Sequence, residues 1–483
     1  MKKKIFGLLF IVFAAAVMSV TANAEDITDY VDFSRKTGMI TFCESYVRGD
    51  IVIPSEIDGV KVVGIGEKAF SGCRNITSVT ISEGVVSIGE SAFENCRAMK
   101  KVTFPESLIS IGDAAFFNCM ELEEIVMPNG LTSIGTNVFY NTGYYYNEDN
   151  WENNALYIGK YLLDAREDEI GSTYAIRNGT TLIAGGTFML ATKLTKITMP
   201  DGMENIGAYA FSKSGLKSVR IPDSVKRIDA YAFSETNLPD VTIPAGVEEI
   251  HGAAFALTES LESINVSSGN KYYTSENGVL FSKDKTVLVI YPVGRTDDEY
   301  VIPKGVTSIG EYALYECSAL RVIWIPATVS SIESYAFGNY ILGNNMDLSD
   351  AYYEADENEV KDNLTIAGGN LKLKNANQHY NAPCIPPITV EIESNFTGDT
   401  AVFGLTMTEG SKSALKKVRL YLAEYDSDGR VTNTYVGINS EMHDDEMTIT
   451  APLPSEDAYS YKYMLWDKSN APLMDAIMDI SRE

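Results

Sequence analysis

The sequence predicts a mostly β protein with short helical turns, in which a solenoid of about ten coils precedes a small antiparallel β-sandwich. Three recurring positions predict the solenoid. The first is an aromatic position after alanine or valine, with steps of mostly 22 or 23 residues: Phe70, Phe93, Phe116, Phe139, Phe188, Phe211, Phe233, Phe255, Leu314 and Phe337. A proline after an apolar residue and an isoleucine that often precedes glycine keep the same step. Each period therefore forms one coil of a stack.

A single coil shows why the repeat folds in this way. In residues 101–104 polar side chains alternate with apolar ones, which predicts a short strand with one face inward and one face outward. Pro105 ends the strand because proline has no N–H to continue the ladder. Farther along, Ile111 enters the core, Gly112 permits a turn, and Phe116 lies in a short helical or 3₁₀ segment. Stacking neighbours at about 4.8 Å buries the inward side chains.

The composition excludes several classes of function. With 483 residues, 45% of them hydrophobic, the chain is too long for one compact core. The formal net charge of −27 argues against nucleic acids and anionic membrane surfaces as partners, because both require basic patches. The histidines are few: His251, His379 and His443. We predict no enzymatic activity, no catalytic residue, no metal site and no cofactor.

Residues 1–24 have the features of a secretory signal peptide. Three lysines precede an apolar run from Ile5 to Val20, and Ala22-Asn23-Ala24 follows as a cleavage site. A retained membrane anchor is the alternative, although the run is short for a bilayer core. We expect a secreted, extracellular protein, either free or associated with the cell surface, that does not insert into a membrane after cleavage.

Further segments complete the predicted organisation of the solenoid. Residues 25–53 form an N-terminal β cap over its open end, and the repeats cover residues 54–346. Two long steps in the period, at about residues 140–174 and 267–300, predict β-hairpin insertions. These insertions either shape a binding surface or pack onto the edge of the stack.

The repeat period ends in the C-terminal part of the chain. Residues 347–387 are predicted to form an exposed acidic linker followed by a closing coil. From residue 388 to residue 483, short alternating runs separated by turn residues predict the antiparallel β-sandwich.

The repeats resemble a known family. The residues that carry the resemblance are the run from Ile53 to Val60, Ile65-Gly66, Ala69-Phe70, Cys73 and the run from Ile302 to Gly310. They look like the 23-residue, BspA-like (Treponema-type) class of leucine-rich repeats, and the resemblance covers roughly residues 28–385. It implies a leucine-rich-repeat solenoid and an exported surface protein that binds host proteins or other microbes. The C-terminal region is similar to a fibronectin-III-like accessory domain, which implies no chemistry of its own.

The cysteines test the repeat hypothesis. Four of them lie three residues after the aromatic position: Cys73, Cys96, Cys119 and Cys317. Small residues fill most of the equivalent positions, so we expect a buried column of inert, reduced thiols. Stacked coils would hold neighbouring Cβ atoms about 4.8 Å apart, beyond the usual disulfide spacing of about 3.8 Å. Cys43 and Cys384 lie outside the repeats, one near each end.

The outward positions of the predicted concave sheet are the candidate binding site. These side chains are mostly short and polar, with mixed charge: Lys101, Thr103, Glu124, Val126, Lys196, Thr198, Ser218, Arg220, Asp240, Thr242 and Trp324. The alternative is an ordinary solvated sheet face. Two interpretations of Trp324 remain: it is an exposed hot spot for binding, or it packs beneath the acidic linker.

Three functions follow from these observations. The first is a non-enzymatic binding or adhesion protein that recognises an extracellular protein, of host or microbial origin, through the concave sheet and the insertions. The second is a carbohydrate-binding or cell-wall-associated module, with these aromatic residues as stacking candidates: Tyr144, Tyr145, Tyr146, Trp151 and Trp466. The third is a hydrolase, for which the sequence singles out no pair of carboxylates.

Overall fold

The computed structural model describes residues 25–338 and 348–382, and the backbone of eight strands between residues 389 and 481. The predicted signal peptide and Cys384 lie outside the described residues. The chain divides into two compact units. The first unit comprises residues 1–169, 179–188 and 204–210, and the second comprises residues 170–178, 189–203 and 211–483.

In the first unit, each coil contributes one strand to a front sheet and one to a back sheet. The front strands are Glu25–Asp26, Arg48–Ile53, Asn75–Ile81, Lys101–Thr103 and Glu124–Val126, all parallel. The back strands are Val31–Ser34, Met39–Cys43, Gly64–Ile65, Ser87–Ile88, Ser110–Ile111, Ser133–Ile134, Trp151–Glu152, Ala155–Ile158, Tyr161–Ala165, Leu182–Ile183 and Asn205–Ile206. The remaining elements are a hairpin of Glu56–Ile57 and Val60–Lys61, an α-helix at Gly143–Tyr146, and 3₁₀ turns at Thr28–Tyr30 and Glu148–Asn150.

The second unit repeats the same two-sided arrangement. Its front strands are Thr173–Ala175, Lys196–Thr198, Ser218–Val219, Asp240–Ile243, Ser263–Val266, Glu299–Val301, Val322–Ile325, Asp350–Tyr353 and Asn377–His379. Its back strands are Arg227–Ile228, Glu249–Ile250, Tyr273–Glu276, Val279–Ser282, Val287–Ile290, Ser308–Ile309, Ser331–Ile332 and Thr365–Ile366. Two α-helices, Glu357–Asn363 and Leu371–Asn375, lie among the last coils.

The repeated phenylalanines form buried columns, as the period predicts. In the first unit the ring centroids of Phe70 and Phe93 lie 4.8 Å apart, and those of Phe93 and Phe116 lie 5.1 Å apart. In the second unit the rings of Phe211 and Phe233 are stacked at 5.2 Å. All five side chains are fully buried. Each stacked pair adds about 0.5–1.5 kcal/mol beyond the burial of its area, which favours the stacked register of the coils.

The segment around each phenylalanine differs from the short helix that the sequence predicts. It consists of consecutive turns, in which Ser71 N–H donates to Lys68 O at 3.0 Å. Other N–H groups donate hydrogen bonds to the next coil. Phe70 N–H, for example, donates to Ala92 O at 2.7 Å. A helix cannot continue here because Lys68 takes a positive φ of 55°.

The described residues contain about 14 solenoid turns, more than the ten expected. Four back strands without an Ala-Phe pair continue the ladder: Met39–Cys43, Tyr161–Ala165, Val287–Ile290 and Thr365–Ile366. Two of them are the last strands of the predicted hairpin insertions, and each pairs in parallel with the strand of the following coil. The insertions therefore pack into the stack through these strands.

The segment that we predicted as an exposed acidic linker forms part of the stack instead. Asp350–Tyr353 pairs in parallel with Val322–Ile325, with Trp324 opposite Tyr352. The acidic residues that follow form the helix Glu357–Asn363, whose N-terminus has a capping box. Acidic side chains at this N-terminus interact favourably with the helix dipole, so the high charge is compatible with ordered structure.

The C-terminal strands form two antiparallel sheets of four strands each. One sheet has the order Thr389–Thr397, Thr400–Glu409, Glu446–Pro452 and Asn439–His443. The other has the order Val431–Val436, Val418–Tyr425, Ser460–Asp467 and Met478–Ser481. Their packing as a sandwich and the likeness to fibronectin type III stay predictions.

Candidate functional site

In each unit the outward side chains of the front strands form a polar surface, here called the front face of that unit. In the first unit the predicted site residues alternate as expected. Lys101 and Glu124 are exposed, and Thr103 is half-buried, whereas Val102 between the two outward residues of its strand is completely buried. Val126 is 49% exposed and is the apolar member of this part of the front face.

In the second unit the structure places six predicted residues on neighbouring front strands. All six side chains are exposed: Lys196, Thr198, Ser218, Arg220, Asp240 and Thr242. Lys196 lies opposite Ser218 in the parallel register, and Ile197 and Val241 point into the core. The period-two prediction for these strands is therefore consistent with the burial pattern.

The first unit's front face holds one ion pair and one carboxylate that neighbouring hydroxyl groups stabilise in its charged form. Lys101 Nζ lies 3.0 Å from Glu124 Oε2 across two adjacent strands. Asp50 accepts hydrogen bonds from Ser78 Oγ at 2.7 Å and from Thr77 Oγ1 at 2.8 Å, and these bonds lower the pKa of its carboxyl group. This part of the face therefore presents an ion pair and a hydrogen-bonded carboxylate to a partner.

Trp324 is only 7% exposed, so it is not the exposed binding hot spot that one of the two interpretations predicted. Its ring stacks on Tyr352 at 4.1 Å between centroids, and Tyr352 stacks on His379 at 4.2 Å. The indole N–H donates to Glu299. Tyr352 belongs to the segment that we predicted as a linker, so the alternative of packing beneath that segment agrees with the structure. His379 Nε2 lies 2.8 Å from Asp350, and this hydrogen bond lowers the pKa of the Asp350 carboxyl.

The five cysteines that the structure describes are free and buried, and those of the first unit form a column. Cys96 Sγ donates to Phe70 O at 3.2 Å, and Cys119 Sγ donates to Phe93 O at 3.1 Å. A hydrogen bond with Cys119 and burial raise the pKa of the Cys96 thiol. Because thiolate is the reactive form, the Cys96 thiol is a poor nucleophile. Cys43, expected outside the repeats, joins the column, where its carbonyl oxygen lies 3.9 Å from Cys73 Sγ.

The aromatic residues of the first hairpin are largely engaged within it. Trp151 Nε1 donates to Tyr145 O at 2.7 Å, and the guanidinium of Arg166 lies 4.2 Å from the centre of the Trp151 ring. Tyr144 OH donates to Tyr157 O at 2.7 Å. Among the stacking candidates of this hairpin, Tyr146, at 63% exposure, is the one that leaves a large ring surface open to a ligand. The side chain of Trp466 lies outside the described residues.

Catalytic and metal centres are not evident in the part of the chain that the structure describes. No group of three or more histidine, cysteine and acidic side chains there is arranged to hold a metal ion. His251 Nδ1 accepts a hydrogen bond from Ala253 N–H at 3.1 Å, and its ring contacts Tyr312. Within the same residues, no helix has the length and apolar character needed to cross a bilayer.

A comparison with protein families decides the class of the repeats. The family model described as BspA-type leucine-rich repeat region matches residues 39–166, 171–281 and 298–381, in six copies. The chain belongs to the BspA-type leucine-rich repeat family. No curated protein matches this BspA-type chain.

Several solved structures are similar to this BspA-type protein. A leucine-rich cell-surface protein from Faecalibacterium prausnitzii has 22% identity, with 68% of this chain and 89% of that chain covered and a TM-score of 0.28. The pneumococcal vaccine antigen PcpA has 22% identity, with 71% and 78% covered and a TM-score of 0.30. A leucine-rich repeat protein from Eubacterium ventriosum has 23% identity, with 72% and 71% covered and a TM-score of 0.28.

Proposed function

We propose that this BspA-type protein is exported and binds an extracellular protein partner through its front face, without catalysing a reaction. The observation that carries the proposal is the alternation on the front strands. Outward side chains such as Lys196 and Thr242 are exposed, whereas Ile197 and Val241 beside them are buried. In each unit the front face is therefore an array of accessible polar groups at strand spacing, which suits recognition of a folded or extended polypeptide.

Blocking the front face tests the proposal. We expect the combined substitutions Thr103→Trp and Thr242→Trp to weaken binding to a protein partner by at least about tenfold, because bulky indoles at front positions prevent close approach without entering the core. The measurement is biolayer interferometry of residues 25–483 against a panel of purified extracellular proteins.

The matched control places the same change beside the back strands. Thr132 and Thr307 are exposed threonines that immediately precede the back strands Ser133–Ile134 and Ser308–Ile309. Thr132→Trp with Thr307→Trp should leave binding within about twofold of the unsubstituted protein. Equal losses in both double variants, or none in the front variant, would contradict the proposal.

A further inference from the structure

Four front-face residues of the second unit surround a shallow concavity. Lys196 lies opposite Ser218 in the parallel register, and Thr198 and Arg220, each two residues farther along, border the same concavity. All four side chains are exposed and border a concavity of about 320 Å³. We call these four residues the quartet.

Cations and hydroxyl groups alternate around the quartet. Lys196 and Arg220 occupy one diagonal, and Thr198 and Ser218 occupy the other. With strands about 4.8 Å apart and alternate residues about 6.6 Å apart, the Cα atoms of the two cations are separated by about 8 Å. An anionic group above the centre therefore lies within reach of both positive charges and can accept hydrogen bonds from both hydroxyls.

The cations of the quartet are available to a ligand. The side chain of Lys196 makes no hydrogen bond or ion pair with any residue that the structure describes. Arg220 Nη1 lies 3.6 Å from Asp201, but these side chains are 78% and 89% exposed, so water competes strongly with the pair. Lys101, by contrast, is paired with Glu124 at 3.0 Å.

We propose that the quartet binds a carboxylate side chain from an acidic segment of the protein partner. This inference rests on the proposed function and identifies the chemistry that the front face recognises. Two available cations on a chain of net charge −27 mark a place where an acidic polypeptide can approach.

The lining of the concavity favours a peptide over an acidic glycan. No aromatic ring borders it, so a sugar has no surface on which to stack. Met199 also borders the concavity, but it is only 5% exposed, so the quartet supplies the accessible polar groups there.

Fluorescence anisotropy with a labelled oligoglutamate peptide tests the inference on residues 25–483. At low ionic strength we expect saturable binding that added salt weakens, because salt screens exposed charges. Lys196→Glu with Arg220→Glu should weaken peptide binding by at least about tenfold, since both attractive charges become repulsive.

The matched control makes the same change in net charge elsewhere in the second unit. Lys213 is paired with Glu235 at 3.4 Å, and Lys226 is paired with Glu248 at 3.2 Å. Lys213→Glu with Lys226→Glu should leave peptide binding within about twofold. Equal losses in both double variants would show attraction by overall charge and would overturn the inference, as would absence of peptide binding to the unsubstituted protein.

Two further outcomes would overturn the inference in different ways. Tighter binding of oligogalacturonate than of the peptide, lost in the Lys196→Glu, Arg220→Glu variant, would identify a glycan site. Partner binding that the front-face tryptophans abolish and the quartet variant leaves unchanged would refute the quartet while supporting the proposed function.

Discussion

Asp164 is a single side chain that makes the stability of the first hairpin depend on pH. It lies on the back strand Tyr161–Ala165, where its carboxyl oxygen accepts a hydrogen bond from Ala165 N–H at 2.8 Å. Burial raises the pKa of Asp164 to about 7, and this effect outweighs the opposing effect of that hydrogen bond. The folded protein therefore holds a proton on Asp164 at pH values where the unfolded chain has lost it. The resulting stability is complete below the unfolded pKa of about 4 and is lost as the pH rises towards 7.

We expect Asp164→Asn to stabilise the protein at pH 8 and to have little effect near pH 3, where the carboxyl group is protonated in both the folded and the unfolded state. Asparagine keeps the acceptor for Ala165 N–H and removes the buried charge, so the gain should reach about 2 kcal/mol at the higher pH. Thermal unfolding of the variant and the unsubstituted protein at both pH values measures this gain in stability. Asp149→Asn, at an exposed position in the same hairpin, is the control. A stability difference for Asp164→Asn that does not change with pH would contradict the assignment.

The residue scale also shows what periodicity can predict. Alternation correctly placed Lys101 and Thr242 outward, because a strand has a period of two. It placed Trp324 on the same face but could not predict that Tyr352 would stack on it. That contact depends on a segment whose acidic composition resembles a loop, and composition does not encode the strand register.

At the scale of the element, glycine sets how closely the coils approach. A Cβ atom on Gly112 would lie 2.6 Å from Glu90 N and 2.8 Å from Gly89 C, both on the preceding coil. We expected Gly112 to permit a turn, whereas the close approach of backbones is what the structure requires of it. Gly112 N–H also donates to Ile88 O at 2.8 Å, so the two coils are hydrogen-bonded at the point of contact.

Gly112→Ala should therefore lower the free energy of unfolding by about 1–3 kcal/mol, because backbone atoms must move to admit the methyl group. Gly171 is the matched control, since a Cβ atom there would meet nothing within 4 Å. Gly171→Ala should be neutral within about 0.5 kcal/mol. Urea denaturation of the two variants provides the comparison, and equal stabilities would contradict this explanation of the glycine position.

Sequence reasoning assigned two strands to hairpin insertions and did not predict that they continue the back ladder, for one physical reason. Tyr161–Ala165 and Val287–Ile290 belong to the back ladder, yet neither lies in a repeat with an Ala-Phe pair. Backbone hydrogen bonds join them to the next coil, and such bonds require no particular side chain. The repeat period therefore predicts the coils whose core contains the repeated phenylalanine. It does not predict the coils whose core is filled by other residues.

At the scale of the whole molecule, a solenoid distributes its stability over neighbouring coils. Phe116 illustrates the coupling within the first unit. Its ring lies 5.1 Å from that of Phe93 and 5.5 Å from that of Phe139, and its N–H donates to Val138 O at 2.9 Å. In a stack of this kind each coil contacts mainly its neighbours, so a local defect should weaken adjacent coils first.

Phe116→Ala should consequently lower stability by about 3–5 kcal/mol and accelerate amide hydrogen exchange most in the coils that contain Phe93 and Phe139. Peptides around Phe337 should keep their protection, because that phenylalanine packs in a different hydrophobic cluster. Phe42 is 47% exposed, and Phe42→Ala, which makes the same substitution outside the core, should have an effect within about 0.5 kcal/mol. Hydrogen-exchange mass spectrometry distinguishes a loss of protection in the adjacent coils from a loss across the whole solenoid. A uniform loss of protection across all coils would mean that the chain unfolds as one cooperative body and would contradict nearest-neighbour coupling.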